Sequence, residues 1–137
     1  MVGLVLAALL VGMPGSSLQD LAAQLDQLAV RDARVVIEAT GAGRPTLILF
    51  ADRHCYSCLQ MIEVFAGLRE RSPQGTVLFL VDPQRADPAT ALLLTRYGVW
   101  VTPMTVLIDR TGRAVRKLHG YYELPALLQE LGRLVER

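Results

Sequence analysis

Thr46-Leu47-Ile48-Leu49-Phe50-Ala51-Asp52-Arg53-His54-Cys55-Tyr56-Ser57-Cys58-Leu59-Gln60-Met61-Ile62-Glu63-Val64-Phe65 is the stretch on which the reading of this chain turns. Thr46 to Ala51 is almost wholly apolar, as a central strand covered on both faces would be. Met61, Ile62, Phe65 and Leu68 recur at three- and four-residue steps, which predicts a helix. At the handover sit Cys55 and Cys58, the only cysteines in 137 residues. A Cys-x-x-Cys pair placed there puts the first sulfur at the helix N-terminus, where unpaired N–H groups and the helix dipole favour a thiolate. The second sulfur lies one turn on, within bridging distance.

Two cysteines cannot build a multi-bridge scaffold, so the pair is redox-active or half of a metal site. A structural zinc site wants four N/S ligands, and only His54 and the distant His119 remain to supply them. The expectation is therefore a dithiol and no metal.

Outward on the N-terminal side, Gly41-Ala42-Gly43-Arg44-Pro45 breaks the chain before the strand. Arg34 to Glu38 reads as a short strand, and Leu18, Leu21, Leu25 and Leu28 form a helical stripe capped by Ser16 or Ser17. Residues 1–13 are uncharged and apolar, and too short to span a bilayer, which takes roughly 20 residues. They fit the core of a secretory signal, with Gly15 and Ser17 spaced for cleavage, although a basic leader is missing. Residues 1–17 are thus expected to be a signal peptide or short anchor, with the protein exported, periplasmic or membrane-associated.

On the C-terminal side, Ser72-Pro73-Gln74-Gly75 ends the helix and Thr76 to Val81 is a second apolar strand. Strand, helix and strand without a hairpin turn imply a parallel crossover. Asp87-Pro88 opens a helix that Gly98 closes. Met104 to Ile108 and Ala114 to Leu118 flank a hairpin loop, Asp109 to Arg113, and a leucine-striped helix begins near Glu123-Leu124-Pro125.

With 52% hydrophobic residues the chain is long enough for one core, so residues 18–137 are expected to form one domain. A net charge of +1 from 14 basic and 13 acidic residues offers no basic face for nucleic acid. No Gly-x-Gly-x-x-Gly fingerprint for a nicotinamide or flavin is present.

This order of elements resembles the thioredoxin-like superfamily over about residues 44–137, with 18–43 as an N-terminal extension. Thr46 to Phe50 resembles the family's first central strand, Tyr97-Gly98-Val99 its Tyr-Gly-Val/Ile, and Thr102-Pro103-Met104-Thr105 its cis-proline segment; Gly112 and Gly120 match its glycines. The resemblance implies an α/β thioredoxin fold: a three-layer α/β/α sandwich with a mixed central sheet and a C-terminal β-hairpin plus helix. It also implies thiol-disulfide exchange on protein thiols and disulfides by an exported monomer, with no cofactor beyond the redox-active Cys55–Cys58 disulfide. A membrane or soluble thiol donor would supply the electrons.

In that reading Cys55 is the nucleophile, favoured by the helix N-terminus and by Arg53 and His54, and Cys58 displaces the substrate. His54 either tunes Cys55 or is an exposed rim residue. Pro103 is cis beside the cysteines, with Thr102 leaving its backbone to an extended substrate. Tyr56, Ser57, Trp100, Val101, Gly120 and Tyr121 line the groove, with His119 near them. Leu49 departs from the family, which often has a buried acid six residues before the first cysteine. Asp52 is either its stand-in or a solvated loop residue, the latter preferred. Two other readings stay open: a peptide-binding or chaperone-like module with a structural disulfide, and a metal carrier using Cys55, Cys58 and His54.

Overall fold

The computed structural model describes residues 17–137. The proposed signal segment, apart from Ser17, and Ser16 as a cap lie outside the described residues. Five helices and four strands follow in the order α1 (Leu18–Leu28), α2 (Arg34–Thr40), β1 (Thr46–Phe50), α3 (Tyr56–Arg71), β2 (Val77–Val81), α4 (Pro88–Tyr97), β3 (Met104–Ile108), β4 (Ala114–His119) and α5 (Leu124–Val135). The sheet order is β2-β1-β3-β4. β1 runs parallel to β2 and antiparallel to β3, and β3 pairs antiparallel with β4. This is the mixed sheet expected from the sequence, with β1 at its interior.

β1 is buried at every position because it serves two cores. Leu47 and Leu49 point to one face, where α1, α3 and α5 pack through Leu25, Ile62 and Leu131. Ile48 and Phe50 point to the other, against Val36 of α2 and Leu93 and Tyr97 of α4. Period-two alternation along a strand thus divides one apolar run between two layers of helix.

Local chemistry sets the helix ends. Ser17 caps α1 in a capping box, its hydroxyl accepting from the Asp20 N–H while the Asp20 carboxylate accepts from the Ser17 N–H. Asp87 caps α4 by accepting from the Thr90 N–H at 2.9 Å, with Pro88 at the first helical position.

One element differs from expectation. Arg34 to Glu38, read as a strand from its β-branched residues, lies in the helix α2. Burial at Ala33, Val36 and Thr40, with Val35 exposed, follows the helical period. The Asp32 carboxylate accepts from the Arg34 N–H at 3.0 Å and turns the chain at the start. The strand-like pairing instead falls just upstream, where Ala29 bridges to Leu80 and the Val30 N–H donates to the Leu80 carbonyl.

Candidate active site

The chain leaves β1 at Phe50 and enters α3 at Tyr56, and Cys55 is the N-cap of that 16-residue helix. Its sulfur takes the place a capping oxygen usually fills, accepting from the Cys58 backbone N–H at 3.3 Å. The Ser57 hydroxyl lies 3.3 Å from the same sulfur, and the Cys55 thiol donates to the Thr102 carbonyl at 3.7 Å. Cys58, one turn further, is wholly buried, whereas Cys55 is partly open to solvent.

The two thiols are consequently unlike. At Cys55 burial favours the neutral form, but hydrogen bonds from the Cys58 thiol, the Ser57 hydroxyl and the Cys58 N–H outweigh it and hold the pKa below that of an ordinary thiol, against a small opposing effect of the Asp52 charge. At Cys58 burial, reinforced by the hydrogen bond with Cys55, pushes the thiol up to about 12. An accessible thiolate precursor beside a buried proton-holding thiol is the asymmetry that sequential disulfide exchange requires.

Arg53 does not supply the positive charge assigned to it from sequence: its guanidinium pairs with the Asp26 carboxylate of α1. His54 is exposed, and its backbone N–H donates to Asp52 Oδ1 at 2.8 Å. The hydrogen bonds that lower Cys55 come instead from Ser57 and Cys58 within the first turn of α3.

The Thr102–Pro103 peptide bond is cis. Pro103 is buried, and its carbonyl accepts from the Gly120 N–H at 2.9 Å, which ties the end of β4 to the entry of β3. Thr102 and Cys55 are brought into contact across the two loops. Trp100 is 83% exposed and Tyr56 64%, with Val101 and Tyr121 about half exposed on the neighbouring segments. His119 closes β4 as an exposed residue, not in a loop. Leu49, by contrast, is a plain core residue of the α3-side layer.

Asp52 corrects the preferred sequence reading. It is no solvated loop residue: it is 8% exposed, and its Oδ2 accepts the Thr102 hydroxyl at 3.0 Å. The signal was weak, since an aspartate three residues before a cysteine is unremarkable until the fold brings Thr102 over it. Among the described residues no group of three or more His, Cys, Asp or Glu could hold a metal ion, and no helix is long and apolar enough to cross a membrane.

Comparison with known proteins places this geometry. A family model described as a thioredoxin-like domain matches residues 33–134. No curated protein matches the chain by sequence. Among solved structures, a mutant thioredoxin from Halobacterium salinarum superposes with a TM-score of 0.67 at 22% identity, covering 80% of this chain and 91% of that one. Mitochondrial thioredoxin 3 of Saccharomyces cerevisiae gives 0.64 at 17%, covering 81% and 99%. The pneumococcal exposed lipoprotein thioredoxin of Streptococcus pneumoniae gives 0.61 at 22%, covering 70% and 89%. At these identities the likeness is one of fold.

Proposed function

Because this chain belongs to the thioredoxin-like domain family, we propose that it is a thiol-disulfide oxidoreductase that reduces or exchanges disulfides in protein substrates through Cys55 and Cys58. The observation that carries the reading is the asymmetry of the pair: Cys55 is accessible with a lowered pKa, and Cys58 is buried with a raised one. In the reductive direction the Cys55 thiolate attacks one sulfur of a substrate disulfide, and the substrate's other sulfur leaves as a thiolate. Cys58 then attacks the Cys55 sulfur of the mixed disulfide, releasing the second substrate thiol and closing Cys55–Cys58. Two electrons pass from the dithiol to the substrate, and the reverse sequence oxidises a substrate dithiol.

A protein substrate, and not a small thiol alone, is favoured by the exposed apolar side chains of Tyr56, next to Cys55 in the chain, of Trp100 and Val101, just before Thr102, and of Tyr121, just after Gly120. Side chains of this kind supply contact area to an extended peptide. Export is proposed from the apolar run of residues 1–13, with electrons drawn from a membrane or soluble thiol donor.

Cys58→Ser should leave Cys55 able to attack but unable to be released, and so accumulate mixed disulfides with partner proteins on non-reducing gels. Cys55→Ser should accumulate few. Equal trapping by both variants, or by neither, would contradict the assigned roles.

A further inference from the structure

Charge is spread evenly along the sequence, but the fold sorts it. Arg69 and Arg71 lie in the last turn of α3, about 24 Å of helix from Cys55 at its other end. The loop that follows meets the entry to β1, where the Val77 N–H donates to the Pro45 carbonyl at 2.9 Å, next to Arg44. A Cβ on Gly43 would lie 4.0 Å from the Arg110 carbonyl oxygen, which brings in the β3–β4 loop with Arg110 and Arg113. Arg116, Arg133 and Arg137 rim a pocket floored by Leu107, Val115 and Leu134, joining the start of β4 to the end of α5. All eight arginines are exposed. In residues 41–45, 69–76, 109–116 and 130–137 they meet four acidic residues, Glu70, Asp109, Glu130 and Glu136, which leaves six basic and nine acidic residues to the rest of the chain.

Most of this positive charge is unmatched. Glu130 pairs with Arg116 at 3.1 Å and with Arg133 at 3.4 Å, and Asp109 Oδ1 is held within its own loop by the N–H groups of Thr111 and Arg113. Arg44, Arg69, Arg71, Arg110, Arg113 and Arg137 make no ion pair among the described residues, whereas Arg34, Arg53 and Arg85, elsewhere, pair with Asp32, Asp26 and Asp87. A helix C-terminus accounts for a cation at Arg69, Arg71 and Arg133, but not at Arg44, Arg110 and Arg113. None of the large exposed apolar side chains among the described residues lies in these segments. A protein interface draws its affinity from such anchors, and single-stranded nucleic acid stacks its bases on aromatic ones. A diffuse negative surface needs neither.

We propose that this end of the domain rests on the surface of a bilayer carrying anionic phospholipids, with the rim around Cys55 turned away from it. Clustered arginines at such a surface strengthen binding by roughly fivefold each. The entry of the chain agrees with this orientation. α1 meets the active-site loop near its C-terminal end, where Asp26 pairs with Arg53, so the apolar run of residues 1–13 joins the domain through Ser17, at the end of α1 remote from that contact. Docking in this sense leaves Trp100 and Tyr121, both exposed, in water and open to a substrate.

The test measures co-sedimentation of the full chain with vesicles of phosphatidylcholine alone and of phosphatidylcholine with about one part in four phosphatidylglycerol. Residues 1–13 carry no charged side chain and act alike on both, so the ratio of the two affinities reports the charged surface. It should exceed about a hundredfold at low salt and fall steeply as salt is added. Arg110→Gln with Arg113→Gln should lower the ratio about tenfold or more. Arg31→Gln with Arg34→Gln removes equal charge beside Val30, whose N–H donates to the Leu80 carbonyl near the end of β2, and should leave the ratio within about twofold. Trp100, the only tryptophan, reads the orientation: its emission should match that of the free protein and resist quenching by brominated lipid. A blue shift with quenching would put the rim in the bilayer and overturn the proposal. Equal losses in the two double variants would overturn it by tracing binding to net charge alone, and a ratio near one would overturn it outright. Capture by polyglutamate without preference for the anionic vesicles would assign the surface to an acidic protein instead. Should the hairpin variant not fold, Arg69→Gln with Arg71→Gln decides in its place.

Discussion

Cys55 and Cys58 differ in exposure because three residues of sequence rotate one sulfur to the open end of α3 and the other into its buried face. The Ser57 hydroxyl, 3.3 Å from Cys55, is one of the groups that lower the Cys55 pKa, although from sequence it reads only as groove lining. A thiol reacts as its thiolate, so alkylation of Cys55 by iodoacetamide should rise with pH and reach half its plateau below the midpoint of an ordinary thiol. Ser57→Ala removes one hydrogen bond to the thiolate and should move that midpoint upward, with the first-turn N–H of Cys58 still holding part of the effect. An unmoved midpoint would show that Ser57 does not act on the sulfur. The placement of Cys55 and Cys58 at a helix start was legible in the sequence, because it depends on spacing and on the break between strand and helix. The partners of Asp52 and Arg53 were not, since they lie far along the chain, at Thr102 and Asp26.

Among the elements, β1, α3, β3 and the β3–β4 hairpin are legible because their apolar periods and breakers agree with the environment each finally occupies. α2 misleads because Val35, Val36 and Ile37 favour strands in isolation, while the need to bury Ala33, Val36 and Thr40 on one side selects a helix. That helix ends close against the hairpin loop. Gly112 has φ of +86°, and a Cβ placed there would lie 2.9 Å from the Thr40 carbonyl oxygen. Gly112→Ala therefore meets both a left-handed backbone and a rigid neighbour. It should destabilise the protein by about 1–3 kcal/mol, read as a lower urea midpoint with an unchanged slope. A midpoint equal to the native one would mean that loop and α2 move apart freely.

At the scale of the molecule, one sheet separates two cores, and the end of β1 delivers the cysteines to a rim where the β3 entry and the end of β4 also arrive. In the proposed reading chemistry and substrate contact share this edge, where Cys55 is partly open and Cys58 sealed in the interior, with Trp100 and Tyr121 exposed on the segments before β3 and after β4. The order of elements and the location of this edge follow from the apolar pattern and the position of Pro103, whereas the direction of electron flow follows from the poise of the pair. That poise is open to direct measurement: equilibrate the full chain in glutathione and dithiothreitol buffers of graded potential, quench by alkylation and weigh the oxidised and reduced forms. A reversible two-electron transition of Cys55–Cys58 within about −120 to −270 mV, the span of catalytic dithiols, is the predicted result. A pair that forms no disulfide, or one that stays oxidised throughout that span, would contradict thiol-disulfide exchange as its function.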